Sequence, residues 1–398
     1  MAIPLCLFLR KYSTFGLPLS PASALVIAVN TRLLLPNKLE GIGRFSFETL
    51  QRVVAAHPEH QFVYVFDRAW DERFITANNI TPIAVSPPAR HPLLWKIWLD
   101  YSLPRAIKQF KPDLFLSPDG FLSQQLHIPQ VPVIHDLNFE HYPGDVRSSH
   151  SRYYRKYMPR FANIARRIAT VSEFSKNDLA QQYGVDAQKI DVVYNGVSGQ
   201  FQPALERDVN SFLKQYTDEQ PYFLFVGAMH PRKNIQRLLH AFDLARKKIV
   251  KPHKLVLAGE KYWWNDDIRK SYERMEFRDD VVFTGRVSNE LLVTALSGAT
   301  ALTFVPYFEG FGIPILEAFA TRCPVITSNI TAMSEVADDA ALLVNPFSEE
   351  EIAEAMARVA QEPQLAVQLT EKGAARVKQF SWERTADALW KTIEQSLG

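Results

Sequence analysis

Two carboxylates eight residues apart, Glu309 and Glu317, stand on either side of the run Gly310-Phe311-Gly312-Ile313-Pro314-Ile315-Leu316. Ahead of them, the apolar run Ala301 to Val305 predicts a buried strand. The residues after Gly312 predict a helix, with Pro314 where a first turn tolerates proline and Gly310 and Gly312 where the chain turns tightly. Glu309 then falls in the loop and Glu317 about one turn into the helix. Such a corner offers a carboxylate for a sugar, helix N-terminal amides for a phosphate and a second carboxylate for a ribose. Spacing alone is equally compatible with two surface glutamates at an ordinary strand-loop-helix corner.

Cations occur at a matching corner. Gly227-Ala228-Met229-His230-Pro231-Arg232-Lys233-Asn234 follows the strand-like run Tyr222 to Val226 and precedes the helical pattern Ile235, Leu238, Leu239, Phe242. Arg232 offers a planar fork and Lys233 a point charge, both suited to a diphosphate. Cations at a helix start oppose its dipole, so bound phosphate would explain them; a solvated pair is the alternative. Gly41-Ile42-Gly43-Arg44 opens the predicted helix Phe45 to Val54. Paired glycines often serve only a turn, and this is not the full GxGxxG fingerprint; close backbone approach to phosphate or sugar is the functional reading. Val133-Ile134-His135-Asp136-Leu137 places an imidazole and a carboxylate at a strand's carboxyl end. A structural histidine is the commoner case, and no nucleophilic Ser or Cys motif accompanies it. The 10 histidines contain no HExxH, and His127, His135 and His141 are dispersed, so no metal site is expected.

The elements that must position these residues are short apolar runs, each followed by a loop and a helical pattern. The first series is Leu25 to Val29, Phe62 to Phe66, Leu114 to Ser117, Val131 to Ile134 and Ile168 to Val171. The second is Tyr222 to Val226, Lys254 to Ala258, Val281 to Thr284, Ala301 to Val305, Pro324 to Thr327 and Ala341 to Val344. This is the pattern of βα units and parallel sheet. The fold class is therefore α/β, two doubly wound halves of residues 1–200 and 201–398, with the polar stretch Ser198 to Gln220 as linker. Ligands of open parallel sheets bind outside the strands' carboxyl ends, so facing halves create a cleft there. Trp382 to Leu397 reads as one amphipathic helix.

Composition sets outer bounds. At 398 residues and 47% hydrophobic content the chain can bury ample core. A net charge of +2 from 45 basic and 43 acidic residues gives no global case for nucleic acid. Cys6 and Cys323 are the only cysteines, which excludes a disulfide framework and a cysteine-based zinc site and makes the cytoplasm the expected compartment. No apolar run approaches the ~20 residues of a membrane span. Met1 to Leu9 is apolar but broken by Pro4 and followed by Arg10 and Lys11, and reads as a loose extension before a first strand at Ala24 to Asn30. Ser151 to Ile168 carries Arg152, Arg155, Lys156, Arg160, Arg166 and Arg167 without an acid, interleaved with Tyr153, Tyr154, Tyr157 and Phe161; Trp95, Lys96, Trp98 and Arg105 to Lys111 would extend it. A solvated helix face is the commoner case; an anionic lipid surface is the functional one.

In this order the segments resemble the retaining glycosyltransferases of family 4, over roughly residues 24–390. Glu309 to Glu317 looks like that family's paired-Glu motif and Pro231-Arg232-Lys233-Asn234 like its phosphate-binding element. Gly41 to Arg44, Val171 to Lys176, Asn195-Gly196-Val197 and Ser334-Glu335-Val336 match in place. The resemblance implies a GT-B fold, two Rossmann-like domains across a cleft, with the C-terminal helix crossing back to the first domain. It implies a metal-independent transferase without cofactor, moving a hexose (mannose, glucose or N-acetylglucosamine type) from a nucleotide diphosphate sugar to a saccharide or lipid-linked acceptor in surface polysaccharide synthesis. The acceptor would sit on the first domain and the donor on the second, in the cytoplasm or at the inner membrane face. Glu309 would touch the donor sugar, Glu317 the ribose, Arg232 and Lys233 the diphosphate, His135 the transferred sugar. Gly41, Gly43 and the amides of Gly310, Phe311 and Gly312 would complete the phosphate cradle. Ala228 departs from the pattern, since many relatives place Arg after that glycine; Arg232 would replace it.

Four other classes compete. A nucleotide-sugar epimerase of the same architecture would need an acid/base set that Glu309 and Glu317 fit poorly, and a nicotinamide oxidoreductase lacks its fingerprint. A glycosidase-like carboxylate pair is disfavoured because the two glutamates address different parts of the donor. A binding protein without turnover keeps the same residues.

Overall fold

The computed structural model describes residues 24–36, 39, 41–261 and 266–398. Met1 to Leu9, and with them Cys6, lie outside these. Two parallel sheets form. The first contains β1 (Val26–Asn30), β2 (Gln61–Phe66), β3 (Ile80–Ala84), β4 (Leu114–Ser117), β5 (Gln130–Ile134), β6 (Ile168–Thr170) and β7 (Ile190–Val192) in the order β3-β2-β1-β4-β5-β6-β7. The second contains β8 (Tyr222–Val226), β9 (Lys254–Ala258), β10 (Val281–Gly285), β11 (Ala301–Phe304), β12 (Val325–Ser328) and β13 (Leu342–Val344) in the order β10-β9-β8-β11-β12-β13. Both orders reverse beside their first strand, the doubly wound arrangement expected.

Strands β3 and β7 escape a hydrophobic-run reading. β3 lies at the sheet's edge, is half-exposed and contains Pro82, and an edge is where a strand tolerates proline. β7 has only three residues, again at an edge. One expectation is corrected: the stretch Ser198 to Gln220, read as linker, contains the helix Glu206–Tyr216. Its apolar positions Val209, Phe212, Leu213 and Tyr216 recur at helical spacing, Phe212 is buried, and its ring packs 5.3 Å from that of Tyr222.

The first sheet is covered on both faces because successive side chains alternate. Val29, Tyr64, Leu116 and Val133 join a core with the helix Ile42–Ala56 and the C-terminal helix Trp382–Leu397. Ala28, Val63, Phe115 and Ile134 face the opposite core, built with Trp95, Trp98 and Phe161. The C-terminal helix therefore does cross back to the first sheet, and Glu383 pairs with Arg52 at 2.8 Å. Outgoing and returning chains touch at the crossing. Val197 bridges Ser381, and the Thr385 hydroxyl donates to the Tyr194 carbonyl at 2.7 Å. A Cβ on Gly196 would sit 2.2 Å from the Trp382 nitrogen, so only glycine fits.

The halves also meet across the cleft. Ser172 Oγ donates to the Gly310 carbonyl at 2.7 Å, and the Tyr307 hydroxyl bonds Asp145 at 2.7 Å. The Glu335 carboxylate accepts the amides of Glu173 and Phe174, at 2.8 and 2.9 Å, at the N-terminus of the helix Glu173–Tyr183, where a negative charge is favoured. A Cβ on Gly310 would lie 2.1 Å from the His135 carbonyl oxygen. Gly310→Ala must therefore push the two halves apart. It is expected to lower stability by about 1–3 kcal/mol, the usual cost of overpacking, and to increase the radius of gyration in small-angle X-ray scattering; an unchanged radius and melting transition would show that this contact does not set the spacing.

Candidate functional site

The functional loops of the second half leave β8 and β11, the strands on either side of its switch point. After β8 the chain forms a 3-10 turn, Pro231–Lys233: His230 caps it by accepting the Arg232 amide, and Asn234 ends it in the left-handed conformation. Asn234 is buried, and its side-chain amide donates to the carbonyls of Val305 and Pro346 at 3.0 and 2.6 Å, fastening this loop to the one that follows β11. The Tyr307 amide donates to the Arg232 carbonyl at 3.1 Å. The two loops thus form one rigid unit.

That unit brings Arg232, Lys233 and Glu309 together. Both cations contact Glu309 Oε1, and the carboxylate is 8% exposed. Arg232 also donates to the Phe308 carbonyl, and Lys233 Nζ lies 4.6 Å from the centre of the Phe304 ring. Burial works to raise the Glu309 pKa, but the two cations outweigh it and hold it down to about 2. A solvated Arg-Lys pair is thereby excluded. Past Glu309, Phe311 and Gly312 lead into the helix Ile313–Ala320, with Pro314 in its first turn and buried Glu317 on it, as expected.

The first half supplies the opposite wall. Gly41 is the N-cap of the helix Ile42–Ala56 and lines the cleft; Gly43 is buried within the first turn and does not. Arg44 reaches across instead. Its guanidinium donates to Glu317 Oε1 at 2.8 Å and to the Asn289 side-chain carbonyl at 3.1 Å. Burial pushes the Glu317 pKa up, and Arg44 opposes that rise. Beyond β5, His135 Nε2 lies 2.9 Å from the Pro118 carbonyl. A carbonyl only accepts, so Nε2 carries the proton and Nδ1 keeps its lone pair. Burial pushes the His135 pKa below its ordinary 6.5, against the pull of that carbonyl and of Asp136.

Between the walls lies a cavity of about 500 Å³, within the roughly 300 to 1,000 Å³ usual for small-molecule sites. Gly41, His135, Arg232, Lys233, Glu309, Gly310, Phe311, Gly312 and Glu317 all line it. So do Asp119, Phe121, Phe139 and Met158, which the sequence reading did not name, with Tyr154, read there as part of the basic aromatic patch, and Asn195, read as part of a matching motif. Asp119 is buried, accepting from Asn30, Ser117, Arg32 and the Phe121 amide. The Oδ1 of Asn195 is buried and finds no partner among the described residues. The second half therefore lines the cavity with Arg232 and Lys233 against Glu309 and Glu317, and the first with Arg44, the carboxylates of Asp119 and Asp136, and the rings of Phe121, Phe139 and Tyr154.

Outside the cleft, the basic aromatic patch separates into two faces. Arg152, Arg155, Lys156 and Arg160 of the helix Ser148–Ile164 are exposed, while Tyr153, Tyr157 and Phe161 are core. Trp95 and Trp98 are buried too, each indole donating to a backbone carbonyl. Among the described residues one metal-like group occurs, His57, Glu59 and His60. His60 Nδ1 accepts the Leu25 amide at 3.2 Å, so the neutral ring carries its proton on Nε2, 3.4 Å from Glu59, and offers no lone pair there for a metal.

Comparison with known proteins agrees with this arrangement. The O-antigen chain mannosyltransferase B of Escherichia coli is 28% identical over 360 residues, which cover 87% of this chain and 93% of that one. The sucrose-phosphate synthase of Thermosynechococcus elongatus superposes with a TM-score of 0.75 at 18% identity, covering 93% of this chain and 98% of that one. Anabaena Alr3699/HepE in complex with UDP-glucose superposes with a TM-score of 0.71 at 15% identity, covering 93% and 99%. The model of Glycosyltransferase Family 4 matches residues 40–200, around the first sheet, and that of Glycosyl transferases group 1 matches 207–376, around the second. With its two halves so divided between two models of one kind of enzyme, the chain belongs to the group 1, family 4 glycosyltransferases.

Proposed function

We propose that this glycosyltransferase moves a hexose from a nucleotide diphosphate sugar to a saccharide or lipid-linked acceptor, with retention and without a metal, in surface polysaccharide assembly at the cytoplasmic side of a membrane. The observation that carries this reading is the pair of cations, Arg232 and Lys233, held against one buried carboxylate beside the N-terminus of the helix that bears Glu317. Mannose is the first sugar to test, given the activity of the E. coli relative.

In this reading the donor lies along the second half: ribose on Glu317, diphosphate among Arg232, Lys233 and the amides of Gly310, Phe311 and Gly312, sugar hydroxyls on Glu309. The bond from the anomeric carbon to the diphosphate oxygen breaks, and the acceptor oxygen bonds that carbon on the same face. The acceptor's hydroxyl proton passes to the departing diphosphate. Charge thus collects on a group already flanked by two fixed cations, which need no reorganisation as it forms. Neutral His135 accepts a hydroxyl hydrogen bond from the transferred sugar through Nδ1. The acceptor sits on the first half, where Tyr154 and Phe121 offer ring faces and Asp136 an acceptor oxygen. A donor-binding protein without turnover would share this cleft, and only transfer to an acceptor separates the two.

Lys233→Ala is expected to lower transfer about 10²–10³-fold, the usual cost of one preorganised charge-stabilising group, and to melt near wild type because Glu309 keeps Arg232. Glu309→Gln leaves the half-buried Arg232 and Lys233 without the carboxylate they share and is expected to lose both transfer and stability. Wild-type turnover in either variant, measured with radiolabelled donor, would remove the site from the mechanism.

The pH dependence follows from His135. The unfolded chain takes up a proton near 6.5 while folded His135 resists it, so through this group acidification below pH 7 favours unfolding. Transfer should show no acid limb from His135 at or above pH 6.5. A limb there that disappears in His135→Asn would contradict the neutral role.

A thermal-shift panel of nucleotide diphosphate sugars reads the donor directly, since a ligand at 100 times its Kd adds about 2.7 kcal/mol. One base and sugar should stand out. If none moves the melting transition of folded wild-type protein, the donor cleft is misassigned.

A further inference from the structure

The helical run 92–107, made of Pro92–Ile97, Trp98–Ser102 and Leu103–Ile107, turns one face outward. On that face Leu93 is 64%, Ile97 37% and Tyr101 65% exposed, at positions i, i+4 and i+8. Leu93 and Tyr101 are among the most exposed large apolar side chains described, and with Ile97 they form a stripe rather than isolated points. Lys96 and Arg105 are exposed on the same run, and Lys108 just after it. The run's one acid, Asp100, is buried and accepts the Gln124 amide.

The neighbouring helix Ser148–Ile164 adds more positive charge. Lys96, Lys156 and Arg160 converge on the ring of Tyr157, their cationic centres 6.0, 5.5 and 5.6 Å from its centroid. None of the three forms an ion pair among the described residues, and the second helix contains no acid. Arg155 is set apart by its pair with Glu140. An apolar stripe ending in an exposed tyrosine, beside exposed cations that form no ion pair among the described residues and of which only Lys96 has an acid, buried Asp100, within electrostatic reach, is the chemistry of an interfacial helix on anionic lipid. A water-facing protein partner would need acids to answer the cations and an apolar patch to answer the stripe; one anionic bilayer supplies both.

The stripe's inner side explains its position. Trp95 lies on the same run, facing inward, and its ring packs 5.4 Å from Phe121 and 5.8 Å from Tyr154. Phe121 and Tyr154 line the carboxylate and aromatic end of the cleft. One layer of side chains therefore separates the outward stripe from that end.

We propose that the face formed by Leu93, Ile97 and Tyr101 with Lys96, Lys156 and Arg160 docks on an anionic membrane surface, setting the acceptor end of the cleft next to the lipid. The acceptor clause rests on the transferase reading; the docking itself does not.

Co-sedimentation of the full chain with phosphatidylcholine vesicles, with and without phosphatidylglycerol, tests it. Wild-type protein should bind only the anionic vesicles, more weakly as salt rises. Replacing Lys96, Lys156 and Arg160 together by Gln should lower the partition on the order of 100-fold, about fivefold per cation at ~1 kcal/mol each. Leu93→Ser, Ile97→Ser and Tyr101→Ser combined should lower it too, with far-UV circular dichroism and the melting transition reporting that both variants are folded. Failure of wild type to bind anionic vesicles, or wild-type binding by both folded variants, would overturn the proposal. So would the absence of vesicle binding together with a dimer that the serine variant dissociates, which would make the face a contact between copies. A donor-induced melting shift in the same samples reports the transferase reading separately.

Discussion

Glu309 is ionised in a buried place because two cations share it, and the half-buried cations are drawn there by its charge. Neither Arg232 nor Lys233 could leave water alone, since an unpaired buried charge costs several kcal/mol. The three-residue cluster therefore fixes both loops at once, with Asn234 tying the second end of the pair through the Val305 carbonyl. Such pairing adds little net stability, because desolvation offsets most of the attraction. What it gives is a rigid cationic surface at the carboxyl ends of β8 and β11, where the strand order reverses and a crevice must open.

A cleft between two sheets needs its walls at a defined spacing, and two close backbone approaches set it. Gly310 lies against the His135 carbonyl on the cleft side, and Gly196 against Trp382 where the chain crosses between halves. Around them, Glu335 caps a helix of the opposite half and Ser172 holds the Gly310 carbonyl. The same short stretch, Gly310 to Gly312, thus carries both the wall spacing and the turn into the helix of Glu317. A side chain at 310 would disturb both together.

Much of this was legible in the sequence, for physical reasons that can be stated. Strands buried on both faces read as continuous apolar runs, so β4, β8 and β9 fall on their expected residues. β3 and β7 do not, because an edge strand needs only one partner and tolerates Pro82 or a length of three. Glu206–Tyr216 was hidden by its polar outer face, although its Val209, Phe212, Leu213 and Tyr216 spacing was available. In the site, strand-end position placed Arg232, Lys233, Glu309 and Glu317 correctly on the cleft. It could not place Arg44 against Glu317, nor Asp119 and Tyr154 in the lining, because those meetings depend on how two sheets and their helices face each other. The patch of residues 151–168 shows the converse: composition mixed cations that the helix leaves exposed with aromatics, Tyr153, Tyr157 and Phe161, that it buries.

Arg44 shows how the two halves share one chemistry. It belongs to the first domain, yet its guanidinium answers Glu317 in the second, just as Arg232 and Lys233 answer Glu309. Both carboxylates proposed to hold the donor are thus charge-compensated, Glu309 by the two cations proposed to hold its diphosphate and Glu317 by a cation of the opposite half. Entry of a nucleotide diphosphate sugar then becomes an exchange of partners: hydroxyls take the carboxylates' hydrogen bonds and phosphate oxygens take the cations. Such an exchange leaves no buried charge unpaired at any stage, which lowers the desolvation cost of binding. Because Arg44 and Glu317 belong to different halves, a donor ribose on Glu317, as proposed, would compete with one of the contacts that join the walls, beside the Gly310 and Gly196 approaches that set their spacing.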